Sequence, residues 1–300
     1  MVSMPVLFIY MIYSEKELFK NESSTLEKLK KALNPNSEMS FLDHLEALRW
    51  HLVRSVVVIF SLAILLFIYN DFVFGTVIFG PKKVDFLTYR LLCKLSYALG
   101  MGESMCIRSI PFSLINTELS GQFTTHMWIS FIGGVILGFP YILWEIWMFI
   151  KPALHEKERK NTNGFVFFAS FLFVTGILFS YYLIVPLTIN FLGNYQVSPD
   201  VTNMITMDSY ISTITTLTLA SGILFELPII VFFLTKFGII SPAFMRKYRK
   251  HALVIILIVA GIVTPSPDIS SQLIVAFPLY LLYEVSIFVS RYVVRKKASI

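Results

Sequence analysis

Charge is what this sequence most conspicuously lacks: only 15% of its 300 residues are Asp, Glu, Lys or Arg. A soluble domain carries about 25%, and a mean hydropathy of +0.70 points the same way. A water-soluble fold is thereby excluded, and the chain reads as a polytopic membrane protein. Cysteine is also scarce. Cys93 and Cys106 are too few for a disulfide framework or the usual metal cage. The five histidines are scattered. His155 and Glu156 open like a zinc-protease motif, but the second histidine, four residues on, is missing. There is neither a glycine-rich phosphate loop nor a Gly-x-Ser-x-Gly elbow. We therefore expect no catalytic residue, no metal and no cofactor. The net charge of +6 and pI near 9.2 could suggest nucleic acid, but no basic stripe is interleaved with aromatics. In a membrane protein, basic loops set topology and face anionic lipid.

What is present is a series of apolar runs, 56% of the chain being hydrophobic. Stretches at 53–69, 127–150, 165–185, 210–234, 252–263 and 273–289 predict six transmembrane helices. The fifth and sixth are short against the ~20 residues needed to cross. Pro140, Pro228 and Pro278 each fall in a span running in the same direction, and proline removes a helix hydrogen bond. The expected architecture is all-α, a kinked and concave six-helix bundle. Basic residues gather on one side: in the prefix, in 151–160, in 236–250 and in the tail from Arg291. The other side has only Lys82, Lys83, Arg90, Lys94 and Arg108. The positive-inside rule then places both termini in the cytoplasm. Residues 1–39 read as an N-terminal extension, amphipathic or disordered, ahead of a membrane domain at 40–300. Residues 6–13 are too short to span and lack a basic leader, which argues against a secretory signal.

Several polar residues stand out. Glu226, next to Pro228, lies well inside the fourth span, where a charge costs about 2.5 to 3.5 kcal/mol on insertion scales. It must face protein or water, or be protonated. Asp268 and Gln272 flank the turn 264–267: Asp268 is a plausible N-cap, and Gln272 either helps begin the sixth helix or offers its amide to a partner. Glu46, Glu156 and Glu158 would suit a basic ligand, because a guanidinium pairs with a carboxylate through two hydrogen bonds; glutamates in basic loops are more often merely solvated. Cys93 and Cys106 share the long loop 70–123, predicted outside, where a disulfide would survive. The alternative is two unpaired thiols. On residues alone, a receptor and a proton-coupled secondary transporter of a small solute, with Glu226 as its proton site, both remain open.

Five separated motifs carry a resemblance. SFLDHLEALR (40–49), FIKPALHEKER (149–159), FELP (225–228), TPSPDISSQ (264–272) and FPLYLLYE (277–284) resemble, in order and spacing, the TatC family of twin-arginine translocase subunits. The resemblance implies six helices with both termini cytoplasmic, in a bacterial cytoplasmic (inner) membrane. It implies a receptor for signal peptides with paired arginines on folded precursors, driven by the proton-motive force without a prosthetic group. The implied partners are TatA, in many organisms TatB, membrane lipids and further copies of the chain. Carried over by position, Glu158 is the loop carboxylate for the arginine pair, with Phe149, Pro152 and Arg159 around it and Glu46 secondary. Glu226 is the buried glutamate of the fourth helix, and Thr264 and Gln272 belong to a polar patch for the small partners, beside Asp268. One departure stands out. The family usually has two glutamates before the Leu-Arg of its first helix, and here the second is Ala47. A neighbouring position is about 100° around the helix, so Glu46 need not face the same pocket.

Overall fold

The structure, a computed structural model, describes residues 41–103, 106–107, 112–151, 164–198, 200, 203–263 and 269–298. The chain divides into two compact units, Met1–His51 and Leu52–Ile300.

The described residues are overwhelmingly helical. Helix α1 (Phe41–Ile68) is followed by short turns and α2 (Leu87–Ala98), then by α3 (Gly121–Ile150). Next comes α4 (Phe165–Asn194). Helices α5 (Met207–Phe225) and α6 (Leu227–Lys236) together make the next apolar rod. Then come α7 (Pro242–Lys247), α8 (Arg249–Val263) and α9 (Ile269–Ala298). Among the described residues five helices are long and apolar enough to cross a membrane: Leu45–Ile68, Gly121–Ile150, Phe165–Asn194, Met207–Lys236 and Gln272–Arg295. The expected fifth span, α8, is only 15 residues, about 22 Å at 1.5 Å per residue. That is short of a hydrocarbon layer about 30 Å thick. The sixth is not short as the sequence suggested, because α9 carries on past 289 through the polar Ser290 and Arg291.

One proline behaves differently from expectation. The third apolar run was expected to end before Pro186, yet α4 continues to Asn194. A wide π-type turn at Ser180–Ile184 precedes the proline. The carbonyl four residues before it, that of Tyr182, accepts a hydrogen bond from the Thr88 hydroxyl, a donor from α2 that replaces the N–H proline lacks. Pro140 and Pro278 likewise sit inside continuous helices. Only at Pro228 does the helix break, and Glu226 occupies the junction.

Local signals fix the ends. Thr206 caps α5 by accepting from the Ser209 N–H at 3.3 Å, with Asp208 in the first turn. Gly238, at φ +78°, stops α6, and the Ile239 N–H returns to the Leu234 carbonyl at 2.9 Å. Helices approach closely where side chains are small. A Cβ added at Gly134 would lie 2.7 Å from the Ile59 carbonyl oxygen of α1. One added at Gly176 would lie 2.8 Å from the Ser221 carbonyl oxygen of α5, and the Ser221 hydroxyl donates back to the Gly176 carbonyl at 3.0 Å. The core at this level combines Phe173, Ile211, Ile214 and Leu217, all nearly inaccessible.

The connections at one end of the helices form a cap tied down by tyrosines. The Tyr210 hydroxyl donates to the Ile78 carbonyl at 2.9 Å, and that of Tyr181 to Val77 at 2.8 Å. The Tyr89 hydroxyl lies 2.9 Å from the carbonyl oxygens of both Pro81 and Pro186, and burial pushes its pKa above the ordinary phenol value. The all-α expectation misses one detail here. Ser113–Ile115 (β1) and Met204–Thr206 (β2) pair in parallel, with Leu114 opposite Ile205. Cys93, on α2, is joined to Cys106 by a disulfide.

Candidate functional site

The site residues expected from sequence fall into two groups. The first, as far as the described residues go, is Phe149 and, in the separate first unit, Glu46. Phe149 lies in the last turn of that helix and is half-buried. Pro152, Glu158 and Arg159 lie outside the described residues. The end of α3 is held firmly: Trp147 is 4% exposed, and its ring packs against Phe165 and Phe233 at centroid distances of 5.1 and 6.5 Å. Glu46, in the first unit, is exposed and lies 4.0 Å from Arg49 one turn on, with both side chains 67% accessible. A pair this open and this long contributes little stability, so its carboxylate is available to other cations. Ala47, the departure from the family pattern, is half-buried.

A further carboxylate near the end of α3, which by its place in the sequence reads as structural, is engaged in the structure. Glu145, one turn before Phe149 on the same helix, is buried. Its Oε1 accepts from the Tyr141 hydroxyl at 2.5 Å, and its Oε2 lies 4.0 Å from the Arg54 guanidinium of α1. Nothing in the sequence could link residues 54 and 145, which lie far apart along the chain; an arginine and a glutamate each near the same end of an apolar run were the only hint.

The second group lies deeper. Glu226 ends α5 with its backbone N–H on the Ile223 carbonyl, while its own carbonyl accepts from Ile229 and Ile230, each at 3.0 Å. Pro228 has no N–H to continue the ladder, and the break sets the Glu226 side chain into the interior at 9% exposure. Its Oε1 is buried without a hydrogen-bond partner among the described residues. A buried carboxylate oxygen left unmet is costly. Gln272 turns its amide inward: Nε2 donates to the Leu257 carbonyl at 2.7 Å and sits against Gly261. That bond ties α9 to α8. Thr264 and Asp268 lie outside the described residues. Among the described residues no three His, Cys, Asp or Glu side chains gather as metal ligands.

The family description "Sec-independent protein translocase protein (TatC)" matches residues 43–278. The chain belongs to the TatC family. Within it, the chain is 42% identical over 265 residues to the Sec-independent protein translocase protein TatC of Blattabacterium sp. subsp. Periplaneta americana, covering 88% of this chain and 99% of that one. It is 34% identical over 264 residues to the TatC of Carboxydothermus hydrogenoformans, covering 87% and 96%. The crystal structure titled "Twin Arginine Translocase Receptor- TatC" superposes with a TM-score of 0.59 at 30% identity, covering 84% of this chain and 99% of that one. TatC proteins are non-enzymatic multi-pass membrane proteins that act within a translocation complex. Membership thus favours the translocase reading over the small-solute transporter.

Proposed function

We propose that this translocase subunit is the receptor for twin-arginine signal peptides of folded precursors, standing in a bacterial cytoplasmic membrane with both termini inside. The observation that supports this most strongly is the likeness, over nearly its whole length, to a solved protein titled a twin-arginine translocase receptor. Glu158 is the principal carboxylate for the arginine pair, with Glu46 secondary and Phe149, Pro152 and Arg159 lining the approach. Carboxylates suit this task because a guanidinium is always charged and offers a planar fork of donors. The signal's apolar part then enters the concave face past Glu226, whose Oε1 has no hydrogen-bond partner among the described residues. Gln272, with Thr264 and Asp268, forms the patch that receives the single-span partners TatA and, where present, TatB. The chain works as one of several copies in the assembly. Residues 1–39 form an extension outside the membrane domain, which begins at 40.

The test is genetic. This gene, expressed in a strain lacking its own TatC, is expected to restore export of a folded reporter bearing a twin-arginine signal but not of the twin-lysine version. Failure to export the first, or equal export of both, contradicts the reading.

A further inference from the structure

Helix α2 belongs to a connection that reads from sequence as lying outside the membrane, yet its first residues are fastened to a membrane-spanning helix within that helix's apolar run. The Phe86 ring stacks on that of Tyr182 with centroids 5.7 Å apart, and the Thr88 hydroxyl donates to the Tyr182 carbonyl. Tyr182 stands only three residues, about 5 Å, inside the end of the run 165–185. Phe171, Val174, Leu178 and Tyr182 recur every three or four residues and form an exposed stripe along α4. On a multi-pass membrane protein such a stripe faces lipid. Helix α2 therefore meets α4 where α4 leaves the hydrocarbon.

The exposed surface of α2 continues that stripe. At 100° per residue its circumference divides into three arcs. Thr88, Tyr89 and Ser96 are buried, and the Tyr89 hydroxyl holds this arc to the Pro81 and Pro186 carbonyls. Next to Thr88 come Leu95, Leu91 and Leu87, which are 51%, 54% and 44% exposed. Beyond the leucines, farther round from the contact with α4, lie Lys94 and Arg90, both exposed.

We propose that α2 is an interfacial anchor, seated in the phospholipid surface at the cap end of the bundle with its leucines among the upper acyl chains and Arg90 and Lys94 on lipid phosphates. The order of the arcs suits this occupant. The leucines adjoin the contact made within the apolar run, and the bases, on long flexible stems, reach back to the headgroups. Lipid is the occupant because the leucine arc is continuous with the lipid-facing stripe of α4. Seated so, α2 holds the Tyr182 and Pro186 stretch of α4 at a fixed depth. In the orientation proposed above the leaflet is the outer one; the inference does not otherwise rest on the receptor reading.

The experiment uses the full-length protein in nanodiscs of phosphatidylcholine and phosphatidylglycerol. A nitroxide is attached through a genetically encoded azido-amino acid, which leaves the disulfide intact, at position 91, 95 or 197. Val197, 86% exposed in a connection, is the water reference. Power saturation compares relaxation by oxygen, which concentrates among acyl chains, with relaxation by a water-soluble nickel chelate. Labels at 91 and 95 are expected to favour oxygen about threefold more than the label at 197, at a depth of about 5 to 10 Å below the phosphates. Arg90→Gln combined with Lys94→Gln is expected to reduce that preference about twofold. Nickel contact at 91 and 95 equal to that at 197 means a helix facing water. Exclusion of both agents means a protein neighbour, such as a second copy of the chain. A preference unchanged by the double substitution means that the bases do not hold phosphate. Each of these three results overturns the proposal.

Discussion

The corner where α7 and α8 pack against α9 and the break between α5 and α6 each place a glutamate within an apolar stretch, and they treat it in opposite ways. At the corner, Glu284 is fully engaged. One oxygen takes the Arg249 guanidinium at 2.7 Å, the other the Tyr280 hydroxyl at 3.2 Å, and the neighbouring Tyr283 hydroxyl binds the Met245 carbonyl at 2.9 Å. One helical turn and a half further along, Ser290 completes the tie by accepting from Thr235 at 2.9 Å. At the break, Glu226 is more deeply buried and has one oxygen unmet. The same side chain therefore serves as cement in one region and as an open valence in the other. What separates them is the supply of donors: α7 and α8 bring a basic run to the corner, while before the break the Ser221 hydroxyl is spent on the Gly176 carbonyl.

Substitutions can break this contrast, beginning with the largest effect. Gly176→Leu forces a branched side chain against the Ser221 carbonyl and the Phe225 ring, both within 3 Å of where its Cβ would stand. Overpacking of this kind costs about 3 kcal/mol, and it should lower the melting temperature in detergent by several degrees and abolish export with it. Arg249→Gln removes the cement. The pair is partly exposed, at 43% and 30%, so the expected loss lies between surface and buried values, about 1 to 2 kcal/mol, again read as a melting temperature. Glu226→Gln sharpens the comparison. Stability is expected to change by less than about 1 kcal/mol, because no bond to Oε1 is lost and a buried ionisable group is replaced by a neutral one of the same shape. Export nevertheless falls about tenfold. A large loss of stability there would place Glu226 with Glu284 as a structural residue.

The sequence disclosed the fold where physics is local. Apolar length found every long helix among the described residues, and the shortness of the fifth run carried over into the 15-residue α8. It misled where a distant group intervened. Pro186 should end a helix, but the Thr88 hydroxyl, nearly a hundred residues away, serves the Tyr182 carbonyl, and no local signal announces that. The β1–β2 pairing similarly joins segments about ninety residues apart. The end of α9 was misjudged because hydropathy fades at Ser290, although that serine is fully buried and bonded to Thr235. Of the site, Glu226 was legible because a charge beside a proline in an apolar run is visible one residue at a time. Glu145 near the end of its run read as structural, but its partner Arg54 was not legible, because an ion pair across two helices leaves no periodic trace.

The central claim is that Glu158, in the segment after α3, recognises paired guanidinium groups. A photo-crosslinker in place of Glu158, in membranes containing the assembled complex, tests it most directly. The account predicts strong labelling of a twin-arginine precursor and at most a tenth as much of its twin-lysine counterpart. Equal labelling of the two would contradict it.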